Sequence, residues 1–294
     1  MHYQLTPLTD HQTGAEIRNL DLTEPLSDET RKSLNADFAK YHVLVFRDQK
    51  LEPAQFFEAA RIFGEPMRHD ARSSILGTED RPVYEQKPIP LGSGKYQIAG
   101  ESFHTDHSNH QVPPKATFLC AVELPSKGGD TQFVNTHRAY DDLPESTKQR
   151  IAGVKAVHMY QGRYSPRDLI TVPEAQKKDV PPPAVHPLVC VHPDNGRKFL
   201  YVAETRIDSF VGIPDDEAPQ LLRELMAHAT RPTYEYRHKW LHGDAVIWDN
   251  RSVLHKANPD YDMNEPRRMY RIMLKGVPLR DHAPSRSAAE KIAG

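Results

Sequence analysis

Long apolar runs are missing from this 294-residue chain. None approaches the ~18–20 residues that a membrane helix needs, so no membrane span is expected. A charge excess of either sign is missing too. The 38 basic and 40 acidic residues leave a formal net charge of −2, without the basic footprint of a nucleic-acid binder. The opening MHYQLTPLTD has no basic start followed by an apolar stretch, so no signal peptide is expected. Cysteine is scarce. Cys120 and Cys190 each sit in an apolar run, FLCAV and LVCVH, which reads as two buried thiols in a reducing, cytoplasmic protein. Glycine is low at 15 residues while proline reaches 25. That balance argues against a helical bundle and for strands joined by proline-marked loops.

What is present reads as one globular unit. Apolar residues make up 38% and charged residues 27%, and a chain of this length can bury about 75% of its unfolded surface. Ser27 precedes DETRKSLNADFAKYH and can cap a helix there. LEPAQFFEAARIFG predicts a second helix, with Pro53 in its first turn and Phe56, Ala59, Ala60 and Phe63 on one face. YQLTPL, AEIRNLDL and HVLVFR predict early strands. From residue 116 strands dominate: ATFLCAV, TQFVN, AVHMY, HPLVCVH, KFLYV, TYEYRHKW, DAVIWD and RMYRIMLKG. PDNG at 193–196 marks a hairpin. Helical patterns interrupt at 144–152 and 214–229, residues 65–100 and 161–183 read as loops, and the tail from about 281 to 294 reads as loose. The expectation is a mainly β fold with helical insertions, a double-stranded β-helix (jelly roll) or a barrel. It forms a single domain over 1–294 with a helix-rich part at about 1–65.

Sixteen histidines supply metal-ligand chemistry. Three His-x-Asp pairs occur: His104/Asp106, His192/Asp194 and His242/Asp244. The second and third fall at turns, Asp194 in PDNG and Asp244 after Gly243. The first does not. On a strand, positions i and i+2 share a face, so His104 and Asp106 can meet one ion. His255, just past a run of strand formers in DAVIWDNRSVLH, is the candidate third ligand. Two histidines and one carboxylate leave open positions suited to non-haem Fe(II) oxygen chemistry. Arg271, inside an apolar strand, needs a partner. A dianionic ligand or an internal Arg–Asp bridge would each supply one.

VLVFRDQ, FGE at 63–65, HTD at 104–106, LPSKGGDT, HPLVCVHPDNGRKFLYV, WDNRSVLHKANPDY and RRMYR together resemble the taurine dioxygenase (TauD/TfdA) family of Fe(II)/2-oxoglutarate-dependent oxygenases over nearly the whole chain. The resemblance implies a jelly roll in which His104, Asp106 and His255 bind iron. It implies that Thr131 bonds 2-oxoglutarate. It further implies that Arg271, 16 positions after His255, pairs the far carboxylate of 2-oxoglutarate, with Arg267 as the alternative. It also implies O2 as co-substrate, succinate and CO2 as products, and hydroxylation of a substrate C–H bond. Trp248, Asp249, Asn250 and Arg251 read as framework. A homodimer or homotetramer is the family's habit.

His69, with Arg68 beside it, stands where taurine-type members contact the anionic end of the substrate. His107, Asn109 and Tyr160 are candidate cavity walls. AGESF before His104, DARSS after His69 and Asn109 in place of an aromatic depart from the taurine pattern. The expected substrate is therefore a small organic anion, with taurine itself disfavoured: an aryloxyalkanoate, an alkyl sulfate, a sulfonate or another acid. Collapse after hydroxylation would release sulfite, sulfate or a phenol. Two other readings use the same ligands: a jelly-roll zinc or manganese hydrolase or isomerase, and a non-catalytic binding protein with a vestigial site.

Overall fold

The computed structural model describes residues 3–68, 76–78, 80–92, 95–97, 100–165 and 180–282. The tail 283–294, most of the 161–183 insertion and His69 lie outside the described residues. Two antiparallel layers dominate. The larger sheet runs, in spatial order, Gln4–Pro7, Ala15–Arg18, Val43–Phe46, Ala245–Asp249, Ala116–Glu123 and Arg268–Leu274, with Pro66–Met67 and Tyr84–Gln86 along its far edge. Among the described residues, the Ala15–Arg18/Val43–Phe46 pairing is the parallel one. The smaller sheet places Thr131–Asn135 between Glu235–His238 and Val253–Ala257. This is the jelly roll.

Alternation along each strand assigns its two faces. Leu119, Trp248 and Met269 turn inward and pack on Phe133, Val253 and Tyr236 of the smaller sheet. Phe118, Ile247 and Ile272 turn outward and meet Phe38 and Phe56 of the two N-terminal helices and Phe63 of the turn after the second. A one-residue register slip would exchange these faces, and each large side chain it exposed would lose about 1.5–3 kcal/mol of burial.

Local chemistry explains the helices. Ser27 Oγ accepts from Thr30 N at 3.2 Å and opens Asp28–Tyr41. Asp28 and Glu29 in the first turn and Lys40 in the last suit the helix dipole. Pro53 opens Pro53–Ala60, where Gln55 Oε1 accepts from Glu52 N at 2.9 Å. The PDNG turn joins Val189–Val191 to Lys198–Leu200 as a hairpin.

Two expectations are corrected. The region 65–100 carries short strands, and Tyr84–Gln86 pairs with Arg268–Leu274. Prolines 82, 88 and 90 masked it, but proline is tolerated on edge strands. HTD at 104–106 is not a regular strand: His104 forms an isolated bridge and the chain then turns, with His107 at φ 48°.

Candidate active site

His104 and His255 exchange both backbone hydrogen bonds, at 3.0 and 2.9 Å. Directly paired residues on antiparallel segments project to one side, so the two imidazoles stand together with ring centroids 4.2 Å apart. Asp106 comes up beside them from the turn. Its Oδ1 is 3.6 Å from His104 Nε2, and its Oδ2 is 3.8 Å from His255 Nε2. Each of the three offers a ligand atom within 4.8 Å of the others. His104 Nδ1 is fixed by the Ser102 carbonyl at 2.8 Å, leaving Nε2 for an ion. His255 Nδ1 is buried without a partner. Gly100, at φ +85°, makes room for the ring: a Cβ there would lie 2.8 Å from His104 Cε1.

Asp106 is 8% exposed. Burial opposes its ionisation, but Arg271, His255 and His104 outweigh burial and hold its carboxyl well below the usual range. Burial also pushes His255 well below the ordinary histidine value, with His104 and Arg271 adding to the effect against Asp106. An ionised carboxylate and a neutral imidazole are the forms that ligate metal.

A cavity of about 200 Å³ opens at the triad. Thr131, Trp248 and Arg267 line it, together with His107, Arg206 and Arg271. Trp248 packs its ring 4.7 Å from that of His255. Thr131 Oγ1 accepts from Trp240 Nε1 at 3.0 Å, so its own proton remains available to an anion. Arg267 is 6% exposed, and its guanidinium donates to the Gly129 carbonyl at 3.0 and 3.2 Å. Among the described residues no carboxylate pairs with it. Gly129, at φ +70°, permits this approach, since a Cβ would lie 3.0 Å from Arg267 Nε.

The expected site residues divide. His107 lines the cavity as a neutral ring, pushed down to about 3 by burial despite Asp106. Asn109 is buried and Arg68 exposed, and neither lines the cavity. Tyr160 is exposed, but the Arg206 guanidinium lies 5.1 Å over its ring and donates to its carbonyl. The aromatic wall is thus a seat for an arginine that sequence reading missed. Arg206 lies in a loop among the strand patterns, and only its closeness in space to His107 marks it. Arg271 takes the internal bridge that its strand position allowed: Nη2 donates to Asp106 Oδ2 at 2.7 Å.

The second His-x-Asp pair also gathers acids. His192, Asp194 and Asp249 form a triad of similar compactness. Here Arg251 occupies the place a cation would take, donating to Asp249 Oδ1 at 2.9 Å and to Asp194 Oδ2 at 2.7 Å. His192 Nε2 lies 3.0 Å from Asp249 Oδ2. That cluster carries its own cation in Arg251 and serves the turn as structure.

Residues 4–273 match the model of the taurine catabolism dioxygenase TauD, TfdA family. The chain belongs to the TauD/TfdA family. It is 32% identical over 277 residues to the alpha-ketoglutarate-dependent 2,4-dichlorophenoxyacetate dioxygenase of Burkholderia sp. (strain RASC), covering 89% of this chain and 91% of the relative. It is 33% identical over 280 residues to the alkylsulfatase of Acinetobacter baylyi, covering 93% and 85%. The crystal structure of a taurine dioxygenase from Burkholderia xenovorans superposes with a TM-score of 0.77 at 31% identity, covering 94% and 92%.

The chain is accordingly an Fe(II)-dependent dioxygenase with 2-oxoglutarate (alpha-ketoglutarate) and O2 as co-substrates. The converged His104, Asp106 and His255 fit a ferrous ion by donor type and spacing.

Proposed function

We propose that this TauD/TfdA enzyme hydroxylates a small organic anion, with His104, Asp106 and His255 holding Fe(II) and the cavity divided between two anions. The observation that carries the reading is the charge of the cavity wall. Three guanidiniums, Arg206, Arg267 and Arg271, face a single carboxylate, Asp106. When bound, Fe(II) with 2-oxoglutarate and O2 supplies oxidation of a substrate C–H to C–OH, as 2-oxoglutarate goes to succinate and CO2.

Thr131 and Arg267 take the 2-oxoglutarate. A buried guanidinium without an ion pair is costly unless a ligand brings the counter-charge, and the Thr131 hydroxyl has a proton to give. This reverses the order read from sequence, which put Arg271 first. Support comes from Arg271 being engaged with Asp106 at 2.7 Å. Its remaining N–H groups, together with Arg206 and neutral His107, hold the substrate anion and aim one C–H at the metal, which is largely a matter of orientation. The Arg68–His69 pair has no support from the described residues as that anchor. Where the hydroxylated carbon carries a sulfonate, sulfate ester or aryloxy group, the C–OH proton and the carbon–heteroatom bond are lost together. The products are then a carbonyl compound and sulfite, sulfate or a phenol. Two free buried thiols support a cytoplasmic home.

Succinate release over a panel of sulfonates, sulfate esters and aryloxyalkanoates tests the substrate class. Turnover confined to neutral or cationic compounds refutes it. Arg267→Met is expected to raise the 2-oxoglutarate needed for half-maximal rate by roughly 30-fold or more, from the ~2–5 kcal/mol lost when one partner of a buried charge pair is truncated. Arg271→Met is expected instead to raise KM for the organic anion. The opposite pattern returns the 2-oxoglutarate carboxylate to Arg271.

A further inference from the structure

The WDNR segment, framework by sequence, contains a chain of hydrogen bonds that ends on the metal site. Trp248 Nε1 donates to Asn250 Oδ1 at 3.0 Å. Asn250 Nδ2 donates to Thr117 Oγ1 at 2.8 Å, and Thr117 Oγ1 donates to Asp106 Oδ2 at 2.6 Å. The backbone of Asn250 also accepts from Thr105 Oγ1 in HTD. All of these side chains are at most 8% exposed, so water does not compete for the bonds.

The proton positions follow from chemistry alone. An indole nitrogen can only donate. It therefore fixes the Asn250 amide with its oxygen toward Trp248 and its nitrogen toward Thr117. Thr117 has one proton. Because its oxygen already receives from Asn250, that proton goes to Asp106. Arg271 Nη2 donates to the same Oδ2 at 2.7 Å. One oxygen of Asp106 is thus committed to two protein donors, and Oδ1 is left on the side of His104.

We infer that Trp248, Asn250 and Thr117 form a positioning relay that holds Asp106 for one-oxygen coordination through Oδ1, with Asn250 as its central member. The inference rests on the reading of Asp106 as an iron ligand. It makes Thr117 a positioning residue, invisible in sequence because it sits in an ordinary strand, and it gives WDNR a role beyond packing. It also couples the two halves of the metal site. The segment that carries His255 begins at the turn that orients Asp106.

The test is metal affinity of the purified chain without 2-oxoglutarate, by anaerobic titration with Co(II) and Fe(II). Thr117→Val keeps the branched shape and the strand preference but removes the hydroxyl. It is expected to weaken binding by ~10–100-fold, the usual effect of losing an outer-shell partner. Thr117→Ser restores the hydroxyl and is expected to restore affinity. Trp248→Phe keeps a ring against His255, frees the amide to turn over, and is expected to weaken binding in the same direction. Thermal midpoints of the metal-free variants establish that each is folded. Asp106→Asn separates the two ideas. If it binds metal as the parent does, the ligand reading fails and the relay falls with it. If it loses metal while Thr117→Val and Trp248→Phe both bind like the parent, the ligand reading stands and the relay is wrong.

Discussion

Asp106→Asn is expected to leave the protein folded but without 2-oxoglutarate-dependent succinate release above the metal-free background. Asparagine has nearly the same shape, so the loss comes from orientation and charge. Two donors, Thr117 Oγ1 and Arg271 Nη2, converge on one oxygen of Asp106 at 2.6 and 2.7 Å. An amide must place its oxygen there, since its NH2 cannot accept. The NH2 then takes the place of Oδ1 beside His104, where it cannot ligate a cation. The loss should therefore exceed the ~10–100-fold cost of an outer-shell change. Metal content and succinate release, measured on the same sample, check it. Activity within ten-fold of the parent would mean that Asp106 is not a metal ligand.

The same residue shows what the sequence makes legible and what it does not. His104, Asp106 and His255 can be picked out because donor type and i, i+2 spacing are properties of the chain. The way they meet is not. The expected strand is a single bridge, held by two bonds to residue 255, followed by a turn. Long strands with clear alternation, such as Ala116–Glu123 and Ala245–Asp249, are readable because their two faces bury against different layers. Thr136–Asp141 is missed because six residues hold too few turns to show a period. Its signal is Asn135, whose Oδ1 accepts from His137 N and Arg138 N at 3.0 and 3.2 Å. The arginines show the deeper limit. Arg267 and Arg271 are four residues apart and look equivalent in RRMYR. What separates them is whether a carboxylate lies opposite, and Asp106 is 165 positions away from Arg271.

Stability is expected to fall steeply as pH drops below about 6, well before carboxylates titrate. His42, His137 and His192 form a buried cluster, with ring centroids 4.6 Å apart for the first pair and 5.4 Å for the second. Burial drives His137 down to about 3, with His192 and Arg197 adding to the effect. Burial also drives His42 well below its ordinary value, with His137 adding to it. His158 is lowered well below the ordinary value too, first by burial and then by His186. In each case the unfolded chain takes up a proton that the folded chain refuses. Stability is then fully present above the unfolded value of 6.5 and is lost progressively as pH falls toward the folded value, about 3 for His137. Within that window each such group costs up to about 1.4 kcal/mol per pH unit, and three together are large against a typical total of about 5–15 kcal/mol. Urea midpoints at a series of pH values between 7 and 4 measure the slope. His137→Gln keeps a donor for the Lys198 carbonyl, which His137 Nδ1 meets at 2.7 Å, but it cannot titrate. Its stability should fall less steeply with acid, by about one proton's worth. Parallel slopes for variant and parent would place the acid sensitivity in the other buried histidines, His42 and His158.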